Sequence, residues 1–412
     1  MRKNLENIAR WSERKAGTDL HYIAEGGTWL TLGKIFSTIA SLLLIIAFGN
    51  LVSKTTYGFY QYILSIAGIL SITTLPGMTT SLKRAVATGK EGDVLNVIHS
   101  RIKWGLIGSF LSLATGAYYL IQGNSQLSIS LLILSLFLPL AESVSIVNPF
   151  FIGRKNFKHF SAYSTTTKII HTSVVIVTLY LTQNIIFILL SYFASLTLVR
   201  LATTAIIFSR HKLNSEKGDS TLSYGKHLSL MKVLGAVSIQ ADKIILWHLL
   251  GPVSLATYSF ALAPVTQLQT WFKSLETLAF PKFASAEKTI LKRTLPKKLR
   301  KLLFLIIPIT LLYILSAPLI YKHLLPQYTD SVLYSQIFAL VLLFLPQKLL
   351  ASSLEAQGQK KALYTINTIN PILKIVLLLA LIPLFGIWGA LAGILFPYIS
   401  GFILLNYFFK KI

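Results

Sequence analysis

Val52-Ser53-Lys54-Thr55-Thr56-Tyr57-Gly58-Phe59 returns as Val253-Ser254-Leu255-Ala256-Thr257-Tyr258-Ser259-Phe260, identical at five of eight positions and offset by 201 residues. Two further phrases repeat in the same order. Leu136-Phe137-Leu138-Pro139 recurs as Leu343-Phe344-Leu345-Pro346 at an offset of 207, and Gly153-Arg154-Lys155 is answered by Gly358-Gln359-Lys360 at 205. A single match in Leu-rich sequence carries little. Three in order at nearly one offset mark an internal duplication of the 412-residue chain.

The duplicated unit is a set of membrane spans. Hydrophobic residues make up 53% of the chain and charged residues only 13%, with a mean hydropathy of +0.64; soluble domains carry roughly a quarter charged residues. Apolar runs of spanning length, about 20 residues each, recur at 28–52, 57–81, 102–121, 127–150, 161–182, 185–208, 228–250, 254–279, 301–321, 331–354, 363–383 and 387–408. The connections are too short to hold a soluble catalytic or nucleotide-binding domain. An all-α integral membrane protein with twelve transmembrane helices is expected.

Charge sets the orientation. Of the 39 Lys and Arg, 32 fall on the side of the N-terminus and only Lys54 and Lys322 in connections on the other side. That asymmetry places both termini in the cytoplasm. Six spans per half is an even number, so the halves run parallel, related by a pseudo-two-fold axis along the membrane normal. The expected organisation is a cytoplasmic amphipathic segment at 1–26 and an N-lobe at 27–209. A cytoplasmic linker at 210–227, a C-lobe at 228–409 and a cytoplasmic end at 410–412 follow. Within the first segment, Leu5, Ile8 and Trp11 recur at helical spacing beside Arg10, Arg14 and Lys15, as in a helix lying on headgroups. The first apolar run is too long for the core of a cleavable signal peptide.

Several function classes drop out. The net charge of +25 would suggest nucleic acid in a soluble protein; here it is chiefly topology signal, and no nucleic-acid partner is expected. With no cysteine, disulfides, thiolate metal sites and Cys nucleophiles are excluded. There is no P-loop motif, and no His/Glu or His/His pair has metal-ligand spacing on one helix face. No cofactor is expected. An integral-membrane glycosyltransferase or polymerase stays as the weaker alternative: such enzymes usually need outer-face acids or a sizeable outer loop, and here the outer connections are a few residues each with Asp330 their only acid.

What remains is the polar content of the spans. Charges near the bilayer centre are costly and face water, a partner or a substrate. The bases are Lys34, Arg200, Lys243, Lys273 and Lys374, and the acids Glu142, Asp242 and Glu276. Lys34 and Arg200 lie near enough to the inner face for snorkelling to account for them, and Lys273 has Glu276 three residues on for a local pair. Asp242 and Lys243 are deeper, and adjacent helical side chains point about 100° apart, so each needs another helix or water. Lys374 shares a helical face with Asn367 and Asn370 beside Pro371, the pattern of a cavity wall more than of a lipid face. Glu142 follows Pro139 and is open as a proton or cation site or as the partner of Lys168 or another base. His171 and His248 read as hydrogen-bonded structural groups. Prolines at 76, 139, 264, 308, 346, 371 and 397 bend their spans. A two-lobed bundle with such groups reads as a transporter with a cavity between lobes; a scaffold would not need them.

The phrase Gln240-Ala241-Asp242-Lys243-Ile244-Ile245-Leu246, then Leu249-Leu250-Gly251-Pro252 and Ala256-Thr257-Tyr258-Ser259, with Phe48-Gly49 and Tyr57-Gly58-Phe59-Tyr60 in the first half, resembles the polysaccharide flippase (Wzx-type) branch of the multidrug/oligosaccharidyl-lipid/polysaccharide exporter superfamily. The resemblance covers essentially the whole chain in span number, duplication and connection length. It implies alternating access in the cell membrane for surface polysaccharide biosynthesis. The partner it implies is a polyprenyl-diphosphate-linked glycan, with membrane lipid around the protein and a polysaccharide polymerase and assembly proteins acting alongside. Lys34, Lys273 and Lys374, then Lys243 and Arg200, would hold the headgroup, while Asp242, Glu142 and Glu276 would couple an ion or serve structure. Related lipid II flippases use bases in spans 1, 2 and 8; Lys34 and Lys273 fall in the first and last, but span 2 here has none in its apolar part. A cation-coupled multidrug exporter of the same superfamily is the competing reading, and it would favour acids in the cavity. Here bases outnumber them.

Overall fold

The computed structural model describes residues 20–285 and 287–411, with side chains from residue 27 except at 273–282 and 284–285. The amphipathic helix expected in 1–26 lies outside the described residues up to Asp19, and so do the side chains of Lys273 and Glu276. Among the described residues every regular element is an α- or 3-10 helix. Large apolar side chains point outward along these helices: Phe110, Leu136, Phe304 and Leu315 are each about 70% exposed, a surface that only lipid would cover. This is a multi-pass membrane protein.

The first half starts with α1 (Leu20–Leu51) and α2 (Lys54–Leu70), the latter continuing through a 3-10 turn at Ser71–Thr74. At Leu75-Pro76-Gly77 the chain bends by 50° into α3 (Met78–Ala87). Pro76 cannot donate a helix hydrogen bond, and Leu75 sits at φ 54. α4 (Asp93–Ile121) and α5 (Ser125–Ser143) pack through small residues. Ser112 donates to Leu131 O at 2.8 Å, and a Cβ on Gly105 would touch Pro139 Cα. Without bulky hydrophobic drive between helices in lipid, such close backbone approach is what holds them. α6 (Val147–Gly153), α7 (Phe157–Leu181) and α8 (Ile185–Arg210) complete the half. The short turns carry their own caps: Asn124, Asn156 and Asn184 each accept a backbone N–H of the helix that follows, satisfying donors that lipid cannot.

A short helix, α9 (Thr221–Met231), leads into α10 (Val233–Ser285), which breaks at Gly251 where φ is 76. Then come α11 (Lys288–Leu324), α12 (Val332–Phe338), a 3-10 segment at Ala339–Phe344, α13 (Gln347–Ala356), α14 (Lys360–Phe385) and α15 (Ile387–Lys410). Among the described residues nine helices are long and apolar enough to cross a membrane, or ten with the bent α2–α3 pair. The expected count of twelve requires two additions. One is α7, whose Ser, Thr and His content lowers its hydropathy. The other is the division at Gly251 of the 40-residue apolar stretch Val233–Phe272.

The two halves share one apolar core at the end that carries residues 51–54, 250–253 and 324–332, where Phe48, Tyr57, Leu255, Phe260 and Tyr328 cluster. At the opposite end each half has a core of its own, Met78, Val97 and Phe150 in the first and Leu295, Leu354 and Phe409 in the second. The halves share a core at one end; at the other each has its own core, and α9 packs on the first half through Gly77 and Ser229.

Candidate site at the interface between the halves

α2 and the first arm of α10 run side by side across the interface. Gly58 makes this contact close: a Cβ there would lie 1.9 Å from Pro252 O. Around it the ring of Tyr57 lies 4.3 Å from that of Phe260, and Tyr62 stacks on Trp247 at 4.3 Å and 8°. At the end of the bundle, Lys54 Nζ bonds Asp330 Oδ2 at 2.9 Å, and Asn50 donates to Leu324 O at 2.8 Å. This aromatic and polar seal closes the joined end.

Beneath it lies a cavity of about 320 Å³, bounded by Gln61 and Ser71, by Glu142 on α5, by Tyr192 on α8, and by Gln240 and Lys243 on α10. Lys243 Nζ donates to Gln61 Oε1 at 3.0 Å, and Gln61 Nε2 donates to Tyr57 OH at 2.7 Å. An ammonium of the second half thus rests on a neutral amide of the first. Its charge is uncancelled by that bond.

Glu142 is held differently. Pro139, one turn before it, cannot bond Ser135 O, and Ser109 Oγ takes that carbonyl at 2.6 Å. α5 then ends at Ser143, leaving terminal carbonyls to be satisfied. Arg200 of α8 bonds one of them, Ala141 O, at 2.7 Å and Glu142 Oε1 at 2.8 Å. Behind this pair Arg101, 4% exposed, donates from Nε to Thr74 O at 3.1 Å. One carboxylate therefore faces two guanidinium groups and, across the cavity, an ammonium.

The second half has a drier cluster. Asp242, 3% exposed, accepts a hydrogen bond from Tyr258 OH, while Lys374 Nζ of α14 lies 3.8 Å from Asp242 Oδ1, which accepts no hydrogen bond among the described residues. Lys374 is thus directed at α10. Of the two asparagines on its helix, Asn370 accepts from Ser400 Oγ at 3.0 Å and Asn367 is exposed.

Of the residues singled out in the sequence, Lys243, Glu142 and Arg200 come together at the cavity, and Asp242 meets Lys374. Lys34 is half-buried on α1, beside Gly33, whose carbonyl accepts from Thr165 of α7; it does not line the cavity. His171 bonds Ser195 at 2.8 Å and His248 bonds Ile244 O at 2.8 Å. Gln61 and Arg101 have no site role in the sequence reading, and Gln240 and Tyr258 enter it only within the phrases that carry the resemblance. Gln61 and Gln240 carried a signal, an uncharged amide inside an apolar run, which costs energy in lipid unless it is bonded.

A family model described as polysaccharide biosynthesis protein matches residues 23–287. No curated protein matches the sequence significantly. Among solved structures, the chain is similar to a MATE crystallised in complex with MaD5, with a TM-score of 0.66 at 11% identity, covering 93% of this chain and 94% of that one. It is also similar to an inward-facing multidrug resistance MATE family transporter of the MOP superfamily, with a TM-score of 0.63 at 11% identity, covering 92% and 95%. Similarity to the lipid II flippase MurJ in an inward closed conformation reaches a TM-score of 0.62 at 15% identity, covering 92% and 87%. At these identities the likeness is one of fold: two lobes of transmembrane helices.

Proposed function

The chain belongs to the polysaccharide biosynthesis protein family, and on that premise we propose that it is a flippase for a polyprenyl-diphosphate-linked oligosaccharide. It works in the cytoplasmic membrane by alternating access, with twelve spans, both termini cytoplasmic and the joined end facing outward. The observation that carries the reading is the charge around the cavity: its one carboxylate, Glu142, is already bonded to Arg200, and Lys243 faces the same space on a neutral amide. A diphosphate crossing a low-dielectric layer needs a fixed positive charge that no protein acid has cancelled. The cavity is on the scale of a small-ligand pocket, suited to a headgroup; the glycan would need the halves to part.

Complementation of glycan export at matched membrane abundance tests this. Lys243→Ala should cut export at least about tenfold, the equivalent of ~1.4 kcal/mol of lost headgroup interaction. Lys243→Glu should be worse, because it repels the diphosphate. Normal export by both variants would overturn the role of this cavity. Lys34, Lys273, Lys374 and Arg200 enter the same series, as headgroup contacts made before the halves reach the present arrangement. The multidrug reading has one specific support, the buried Asp242 with an oxygen that accepts no hydrogen bond; a chain that exports cationic drugs and leaves glycan export unrescued would establish it.

A further inference from the structure

α11 is 37 residues long, about 55 Å at helical rise. Only Leu302–Tyr321 is continuously apolar and uncharged, enough for the ~30 Å hydrocarbon core. The four turns before it hold Lys288, Lys292, Arg293, Lys297, Lys298, Arg300 and Lys301, seven bases without one acid. All seven are exposed, and none forms an ion pair among the described residues.

The segment is nevertheless fixed in place. Leu291 and Leu295, 4% and 1% exposed, pack with Phe283, Leu350, Leu354 and Phe409, and Leu299 joins them in part. These turns are therefore a rigid basic ridge on the body of the second half, starting where the apolar run of α11 stops. At the corresponding end of the first half the bases are spread over several elements, and one of them, Arg154, is paired with an acid. There Arg154 is bonded through two nitrogens to Glu91 at 2.6 Å and to Lys212 O at 2.9 Å, and Asp93 accepts from Gly218 and Thr221. Topology alone would be served by bases at both ends, paired or not. Among the described residues the second half carries the dense set, seven bases on one helix segment with no acid inside it and Glu287 just before its start.

We infer that the ridge Lys288–Lys301 is a docking surface for anionic phospholipid headgroups of the adjacent leaflet, anchoring the second half while the first moves against it. Charge complementarity and depth carry the assignment. A cluster of this density immediately outside a transmembrane helix attracts anionic lipid within a Debye length of the surface, and long Lys and Arg stems let the charges reach the phosphate plane. A partner protein would need to displace those headgroups first. The inference is independent of the transported substrate, and nanodiscs expose both leaflets, so its test does not depend on orientation or on transport.

The full-length protein is reconstituted in nanodiscs of phosphatidylcholine and phosphatidylglycerol, washed into detergent, and the retained lipids are quantified by mass spectrometry. Phosphatidylglycerol should be enriched about threefold or more over the input, falling to the input ratio in ~1 M salt, where screening reaches ~3 Å. Lys297→Gln/Lys298→Gln/Arg300→Gln/Lys301→Gln should lose most of the enrichment, whereas Lys212→Gln/Lys217→Gln/Lys226→Gln, on the first half and linker, should keep it. If the quadruple variant does not fold, Lys288→Gln/Lys292→Gln/Arg293→Gln serves in its place. No enrichment in the unmodified protein, or equal loss in the linker variant, would overturn the inference. So would displacement of the lipid by inorganic phosphate, which would mark a simple phosphate pocket.

Discussion

The two copies of the Val-Ser-x-x-Thr-Tyr-x-Phe phrase meet each other across the interface, and they do different work. Tyr57 of the first copy lies 4.3 Å from Phe260 of the second, ring to ring. In the first copy the tyrosine oxygen accepts from Gln61, which in turn holds Lys243 of the other half. In the second, Tyr258 donates to Asp242 within its own half. Duplication supplied two equivalent backbones; the polar residues then diverged. The first copy faces a cavity and hands a base across the interface, while the second buries an acid beside a lysine. Gly58 and Ser259 occupy matching positions; the glycine is pressed against Pro252 of the other half, and Ser259 is buried with its hydroxyl finding no hydrogen-bond partner among the described residues.

The sharpest way to break this comparison is at that pair. Gly58→Val would set a side chain against Pro252 O and C, 1.9 and 2.6 Å from the Cβ position, and backbone cannot move aside cheaply. Overpacking of this kind costs about 1–3 kcal/mol or more, and the halves should separate at the sealed end. Ser259→Gly should be close to neutral for closure. The chain has no native cysteine, so Lys54→Cys/Asp330→Cys reports closure directly by cross-linking. High cross-linking yield and unchanged thermal unfolding in Gly58→Val would mean that the seal does not depend on this contact.

A smaller effect should separate the two acids. Asp242 is 5% exposed at its side chain with Lys374 at 16%, whereas Glu142, which lines the cavity, and its partner Arg200 are 38% and 23% exposed. Removing one partner of a buried pair strands the other charge, at a cost of about 3–5 kcal/mol; next to a wet cavity the loss is nearer that of a charged hydrogen bond, about 1.5–3 kcal/mol. Asp242→Ala should therefore lower the thermal unfolding temperature more than Glu142→Ala. Equal effects, or the reverse order, would show that the two halves do not differ in this way.

Much of the fold was legible because spans are written in runs of apolar residues, and bilayer thickness fixes their length. The duplication was legible in short phrases, and the two Tyr-containing copies do lie in facing positions. The breaks were harder. Pro76 announces a bend and Gly251 falls where the seventh and eighth spans divide, but the 3-10 turn at Ser71–Thr74 depends on packing that no local phrase encodes. The site was legible as a set of intramembrane charges and not as pairs. Which base meets which acid depends on the rotation of each helix about its axis, so Arg200–Glu142 and Lys374–Asp242 emerge only in three dimensions. Arg101 is the clearest case. It sits one turn before the apolar part of α4 and reads as a topology charge, yet it is buried behind the cavity because α4 starts at Asp93 and packs against the bend at Thr74.

The smallest expected effect lies where the linker is tied to the first half. Asn214 accepts from Glu91 N and donates to Gly89 O, Gly92 N donates to Glu216 O, and Ser229 Oγ accepts from Gly77 N. Two titrating groups guard this attachment. The Arg154 guanidinium bonded to Glu91 holds its carboxyl below the usual range, and burial against Phe150 and Phe151, with Arg154, His159 and Arg210 nearby, pushes the His211 imidazole down. Both groups have folded values below their unfolded ones. Their stabilisation is therefore full above the unfolded values and is lost as pH falls through the folded ones. For His211 that loss begins below about pH 6.5, and for Glu91 below about 4.3. Limited proteolysis across 212–220 should consequently accelerate a few-fold between about pH 7.5 and 5.5, the linker opening locally while the bundle stays folded. His211→Asn should flatten that dependence, and Glu91→Gln should raise cleavage already at neutral pH because Arg154 loses its charged partner. A cleavage rate that is flat with pH in the unmodified protein would show that the first half does not hold the linker through these groups. The paired end of the first half would then resemble the unpaired ridge of the second more than the side-chain geometry implies.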